Sequence, residues 1–141
     1  MPQSFIKIWI HAVWSTKNRN HYLHHNIEKQ VHNFIFNKFK ELGLPVSIVN
    51  GMPDHVHCLF MLGRETSISK VMKLIKGSSS RFINENNLID EKFAWQDGYG
   101  AFSVSESGVE KVYEYIKNQK MRHRNMNFDN EIKRFRKMYG V

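Results

Sequence analysis

The chain has 141 residues, 41% hydrophobic and 13% aromatic, with 21 Lys and Arg against 13 Asp and Glu and a formal charge of +8. That composition excludes a disordered chain and fits a single domain, 1–141, with a core over about 4–122 and a basic tail over 123–141. A lone cysteine, Cys58, excludes an intrachain disulfide framework, no apolar run reaches membrane-span length, and the basic excess favours a polyanionic partner.

Residues 4–15 read as a first strand, rich in β-branched and aromatic side chains. Phe5, Trp9 and Val13 alternate with Ile6, Ile8, Ile10, Ala12 and Trp14, so both faces are apolar and the strand is expected to be central. Lys7 and His11 interrupt one face, which is expected to meet a ligand or a second subunit. The turn after it carries Lys17 and Arg19. Residues 26–42 read as a helix, with Asn26 as its cap, Gly43 as its stop and an apolar stripe of Ile27, Val31, Phe34, Ile35, Phe39 and Leu42. His21, His24, His25 and His32 cluster near its start, where a solvated, helix-flanking role outweighs metal binding.

Pro45–Val49 reads as a second strand. Gly51, Pro53 and Asp54 then turn the chain into the strand His-Val-His-Cys-Leu-Phe-Met-Leu, giving an antiparallel hairpin of the longer-loop type. Residues 67–86 read as a second helix capped by Thr66 or Ser67. Lys70, Lys73, Lys76 and Arg81 lie off its stripe, and Gly77-Ser78-Ser79-Ser80 fits either close approach of a second backbone or a phosphate, or a kink with no ligand. A Gly-aromatic loop from 93 leads to a last strand near 100–105. A third helix over 108–122 and a short amphipathic helix carrying Phe128, Ile132, Phe135 and Met138 complete the chain.

Strand, helix, strand, strand, helix, strand is a split β-α-β unit repeated. It predicts an α+β, ferredoxin-like or RRM-like βαββαβ sandwich, with one antiparallel sheet, two helices on one face and an extra C-terminal helix. Alternation along a strand turns His55 and His57 to one face while Val56, Cys58, Phe60 and Leu62 turn to the other. The histidines therefore sit on the face that the two main helices leave open. Two imidazoles side by side can hold a metal ion.

The third helix carries Tyr113, Tyr115 and Gln119. On a helical wheel Val109, Val112, Tyr113 and Ile116 share the apolar face, while Tyr115 and Gln119, four residues apart, pair off it. A tyrosine can serve as a covalent nucleophile, and a bound metal can polarise a phosphoryl oxygen for its attack. Each feature alone also fits a bland reading, a half-exposed helix tyrosine and a surface histidine pair.

Jointly they resemble a known family. His55-Val56-His57 fits the histidine–hydrophobic–histidine pattern of the HUH endonucleases, and Tyr115-Ile116-Lys117-Asn118-Gln119 looks like the nucleophile helix of their smallest members. These are the single-tyrosine transposases of bacterial insertion sequences that move as single-stranded DNA. Trp14-Ser15-Thr16-Lys17-Asn18-Arg19, Gly51-Met52-Pro53-Asp54, Lys76-Gly77-Ser78-Ser79-Ser80 and Gly98-Tyr99-Gly100-Ala101-Phe102 resemble that family in the same order. The resemblance implies a DNA transposase that cleaves and rejoins hairpin-bearing single strands through a 5′-phosphotyrosine; the N-terminus, without the marks of a signal peptide, and the lone cysteine lead to the expectation of a cytoplasmic protein. It implies Tyr115 as nucleophile, and Mg²⁺ or Mn²⁺ on His55, His57 and Gln119. It also implies a homodimer whose active sites can be composite. Rejoining driven by the phosphotyrosine bond needs no nucleotide cofactor, and no P-loop or dinucleotide fingerprint is present. Lys17, Arg19, Lys73, Lys76, Ser78, Arg81 and Arg122 are the candidate DNA contacts, with Trp95, Tyr99 and Phe102 as candidate stacking platforms.

Two other readings stay open at this point. One is a domesticated relative that cuts chromosomal repeat hairpins. The other is a non-catalytic RRM-like module, suggested by Gly98-Tyr99-Gly100-Ala101-Phe102, although Asp97 stands where that signature has a cation.

Overall fold

The computed structural model describes residues 3–123 and 126–141, the Arg122 side chain excepted. β1 (Ile8–Ser15), α1 (His25–Glu41), β2 (Val46–Met52), β3 (His55–Leu62), α2 (Ile68–Glu85) and β4 (Gly100–Val104) follow the βαββαβ order. The strands pair antiparallel in the order β2-β3-β1-β4, the ferredoxin-like arrangement expected from the sequence. Ile10, Ala12 and Trp14 of β1 join Val56, Cys58 and Phe60 of β3 on one face. There they pack against Val31, Ile35 and Phe39 of α1 and Val71, Met72, Ile75 and Ile83 of α2.

The opposite face is covered as well. After a 3-10 turn, α3 (Val109–Lys117) and α4 (Gln119–Arg122) are separated by Asn118, so the single helix expected over 108–122 is broken. Asn50 of β2 donates its side-chain N–H to the Ile116 and Lys117 carbonyls, pinning the end of α3 to the sheet. α5 (Phe128–Tyr139) starts on an Asn127 cap and ends at Gly140, whose φ of 72° suits glycine. Phe135 of α5 inserts against His11, His57, Phe102 and Tyr115.

Several local expectations are corrected. β1 begins at Ile8, because β3 and β4 offer partners only as far as Leu62 and Val104, and Phe5 is 90% exposed. His24, not Asn26, occupies the cap position of α1. The histidine hairpin turns on two residues, Pro53 and Asp54, because β2 continues through Met52. The small-residue stretch of α2 makes room for a side chain: buried Ser79 accepts the Trp95 indole N–H at 2.9 Å. Trp95, packed on Trp14 and Phe93, is thereby a core residue.

Gly51 shows why that hairpin needs its sequence. A Cβ there would overlap the His55 carbonyl oxygen and lie 2.9 Å from the Val56 Cα. Backbone cannot yield as a side-chain tip can. Gly51→Ala should therefore destabilise the fold by about 1–3 kcal/mol, read as a lowered urea midpoint. An unchanged midpoint would contradict the close approach.

His32 gives the fold a pH dependence. It is buried on α1 with an Nε2 that has no hydrogen-bond partner among the described residues, and burial pushes its pKa down to about 4. The unfolded chain takes up that proton near the ordinary value of 6.5. Stability is therefore fully present above about pH 6.5 and falls as pH drops toward about 4, by roughly 3 kcal/mol from this group. Urea unfolding between about pH 7 and 4 should show a shallower loss in His32→Leu than in the wild type. Parallel losses would contradict the assignment.

Candidate active site

β3 delivers His55 and His57 to the face under α3 and α5, and both are fully buried. Each is oriented from behind. Asp54 accepts from the His55 Nδ1–H at 2.7 Å, turning Nε2 inward. His57 Nδ1 is hydrogen-bonded to His11 Nε2 at 2.9 Å, so its Nε2 also faces inward. A ligating imidazole needs such a partner on its second nitrogen.

The inward nitrogens meet a group the sequence reading missed. His55 Nε2, His57 Nε2 and His123 Nε2 each lie 3.1 Å from one oxygen, Oε1 of Glu131 on α5. The other oxygen, Oε2, accepts from the Tyr115 hydroxyl and from the Gln119 amide N–H at 3.1 Å. Gln119 Oε1 lies 3.2 Å from His55 Nε2. Tyr115, Gln119, His55 and His57 thus lie together within one chain, with the Tyr115 and His57 rings 5.8 Å apart.

The charges are mutually adjusted. Burial opposes the Glu131 charge, but the imidazoles of His123, His55 and His57 outweigh it and hold the carboxyl far below the usual carboxylate range. Burial likewise works against a charged His55, yet the Asp54 and Glu131 carboxylates raise its pKa. Burial lowers His57, and burial with the neighbouring His57 holds His11 neutral, down to about 3. Burial opposes the Asp54 charge, but the hydrogen bond and charge of His55, with smaller contributions beside them, together lower its pKa.

His55, His57 and Glu131 are the one cluster among the described residues whose donor atoms converge as a metal ion requires, within 4.8 Å of one another. The donors suit a divalent ion that accepts nitrogen and oxygen. Gln119 Oε1 is the neutral oxygen beside them.

The candidate DNA contacts separate into two groups. Lys17, Lys73 and Arg81 are exposed, the last two on α2, in the layer away from the histidines. Arg19, Lys76 and Ser78 each have a partner within the chain, Arg19 at the surface. Arg19 pairs with Asp129 of α5. Lys76 donates to the Gln96 and Gly98 carbonyls at 2.8 and 2.7 Å. Ser78 donates to the Leu74 carbonyl, as helix serines do. The Arg122 side chain lies outside the described residues.

A family model described as IS200-like transposase matches residues 4–119. The chain belongs to the IS200-like transposase family. The matched segment of this IS200-like transposase contains His55, His57, Tyr115 and Gln119. It stops short of His123 and Glu131. The ISDra2 transposase TnpA of Deinococcus radiodurans is 27% identical over 114 residues, 77% of this chain and 81% of that one. A crystal structure from Deinococcus radiodurans described as a transposase matches with a TM-score of 0.67 at 24% identity, over 84% of this chain and 98% of that one. A REP-associated tyrosine transposase bound to a REP hairpin matches with a TM-score of 0.61 at 18% identity, over 87% and 73%. At these identities the two structures speak to the fold alone. IS200-like transposases are DNA-cutting and DNA-joining enzymes, and among the described residues no helix is long and apolar enough to cross a membrane.

Proposed function

We propose that this IS200-like transposase cleaves and rejoins hairpin-bearing single-stranded DNA through Tyr115, beside a divalent ion held by His55, His57 and Gln119. The observation that carries this reading is the Glu131 carboxylate. One of its oxygens meets the histidine nitrogens and the other meets the Tyr115 hydroxyl. A phosphodiester has the same charge and a similar pair of oxygens. That likeness supports a scissile phosphate lying between nucleophile and histidines.

When bound, the ion would supply Lewis acidity to the phosphoryl oxygen. Asp54 and His11 hold the two imidazoles at fixed angles, so the site needs little reorganisation. The Tyr115 oxygen forms a bond to phosphorus, the bond to the 3′ oxygen breaks, and that oxygen leaves as a 3′-hydroxyl with the proton the phenol gives up. The 5′ side stays on the protein as a phosphotyrosine. Attack by a 3′-hydroxyl reverses the step and restores Tyr115, so no nucleotide is consumed.

The hairpin substrate is supported by the fold shared with the REP-associated transposase, which is bound to a REP hairpin. The exposed cations Lys17, Lys73 and Arg81 are available to its backbone. The non-catalytic RRM-like reading is disfavoured, because the sheet face on which such modules stack bases is covered by α3 and α5. The test is incubation of a labelled hairpin-bearing single strand with the protein and Mg²⁺ or Mn²⁺. A metal-dependent covalent adduct and a free 3′-hydroxyl end are expected. Binding without cleavage under either ion would overturn the reading.

A further inference from the structure

His11 is not part of the donor set, yet it is 1% exposed at the centre of the sheet. Its Nε2 is hydrogen-bonded to His57 Nδ1, and its Nδ1 has no partner among the described residues. The rings of Phe135 at 5.2 Å and Phe102 at 6.2 Å hold it in place. A residue that only filled this space would be apolar, since a buried nitrogen without a partner costs stability. The sequence retains an imidazole at that cost.

Resting on the metal-site reading above, we propose that His11 is a positioning residue that sets the tautomer of His57 and reverses its own role when the ion binds. Without an ion, His57 Nε2 lies 3.1 Å from a carboxylate oxygen and must carry the proton it donates there. His57 Nδ1 is then an acceptor, and His11 Nε2–H donates to it. With an ion on His57 Nε2, the His57 proton sits on Nδ1. His11 Nε2 must now accept, and the His11 proton moves to its own Nδ1. The proton count of the pair is unchanged: the proton leaving His57 Nε2 is matched by the one arriving on His11 Nδ1. A neutral imidazole donates in one state and accepts in the other. A lysine or a carboxylate serves only one of the two. Asp54 plays the simpler part behind His55, accepting in both.

Two measurements test this. The first is direct Mn²⁺ binding, by calorimetry without DNA, to the wild type, His11→Leu and His11→Gln. Loss of the partner should weaken binding about 10- to 100-fold in His11→Leu, the range for such supporting contacts. His11→Gln, whose amide can donate or accept, should recover most of it. Equal affinity in all three overturns the assignment and leaves the metal site standing. A wild type that binds no ion removes the metal site and the assignment together. The second holds even where a variant fails to fold. Imidazole ¹⁵N shifts of the wild type should show His57 Nδ1 unprotonated without the ion and protonated with Mg²⁺. An Nδ1 signal unmoved by Mg²⁺ binding overturns the exchange.

Discussion

Tyr115→Phe should leave hairpin binding within a fewfold of wild type and abolish both cleavage and the covalent adduct. The substitution removes one oxygen from a ring whose packing against Phe135 and His57 needs only the ring itself. The fold should therefore persist, and a loss of activity is chemical. Tyr115 reaches the carboxylate between the histidines, whereas the helical wheel puts Tyr113 on the apolar face. Gel-resolved adducts and 3′-end labelling read the result. An adduct that survives in Tyr115→Phe and disappears in Tyr113→Phe would move the nucleophile to Tyr113.

Glu131→Gln should act in opposite directions on two measurements. With α5 seated, His55, His57 and Gln119 are fully buried and the carboxylate fills the place proposed for the phosphate. A DNA phosphate cannot enter beside it, because like charges would share a buried site. The carboxylate also accepts the Tyr115 proton in a hydrogen bond, which favours the neutral phenol over the nucleophilic phenolate. α5 is held by that contact, by Phe135 packed against His11, His57, Phe102 and Tyr115, and by the Arg19–Asp129 pair. Removing the Glu131 charge loosens the seat of α5 while keeping its shape. Cleavage of a hairpin-bearing strand should rise roughly tenfold, the effect of about 1.4 kcal/mol on the closed state. Mn²⁺ affinity of the DNA-free protein should fall, since an anionic donor is lost from the converging set. A fall in both would instead make Glu131 an obligatory ligand during the reaction.

The parts of this site that were legible in the sequence are those with local periodicity. His55 and His57 share a face because a strand alternates, and Tyr115 and Gln119 share one because four residues make a helical turn. The βαββαβ order is likewise a succession of local patterns. The break at Asn118 leaves the Tyr115–Gln119 pairing intact, because both side chains converge on the same carboxylate.

Glu131 was missed because nothing local ties residue 131 to residue 57. The tail reads as basic, and attention falls on its cations. A signal was present nonetheless. Glu131 lies among Phe128, Ile132 and Phe135 at helical spacing, and a carboxylate on an apolar stripe needs a buried partner. His11 offered a comparable signal as a polar interruption of an apolar central strand. Its partner could not be named until the register placed β1 against β3. The cations gave the least, since a surface charge is free to find an internal partner, as Lys76 does with two loop carbonyls.

The most direct measurement of the central claim is peptide mapping of the adduct formed with a hairpin-bearing single strand and Mn²⁺. After nuclease and protease digestion, mass spectrometry should place the nucleotide on Tyr115, through a 5′-phosphate. A nucleotide on any other residue, or cleavage that proceeds with no protein-bound nucleotide at all, would contradict it.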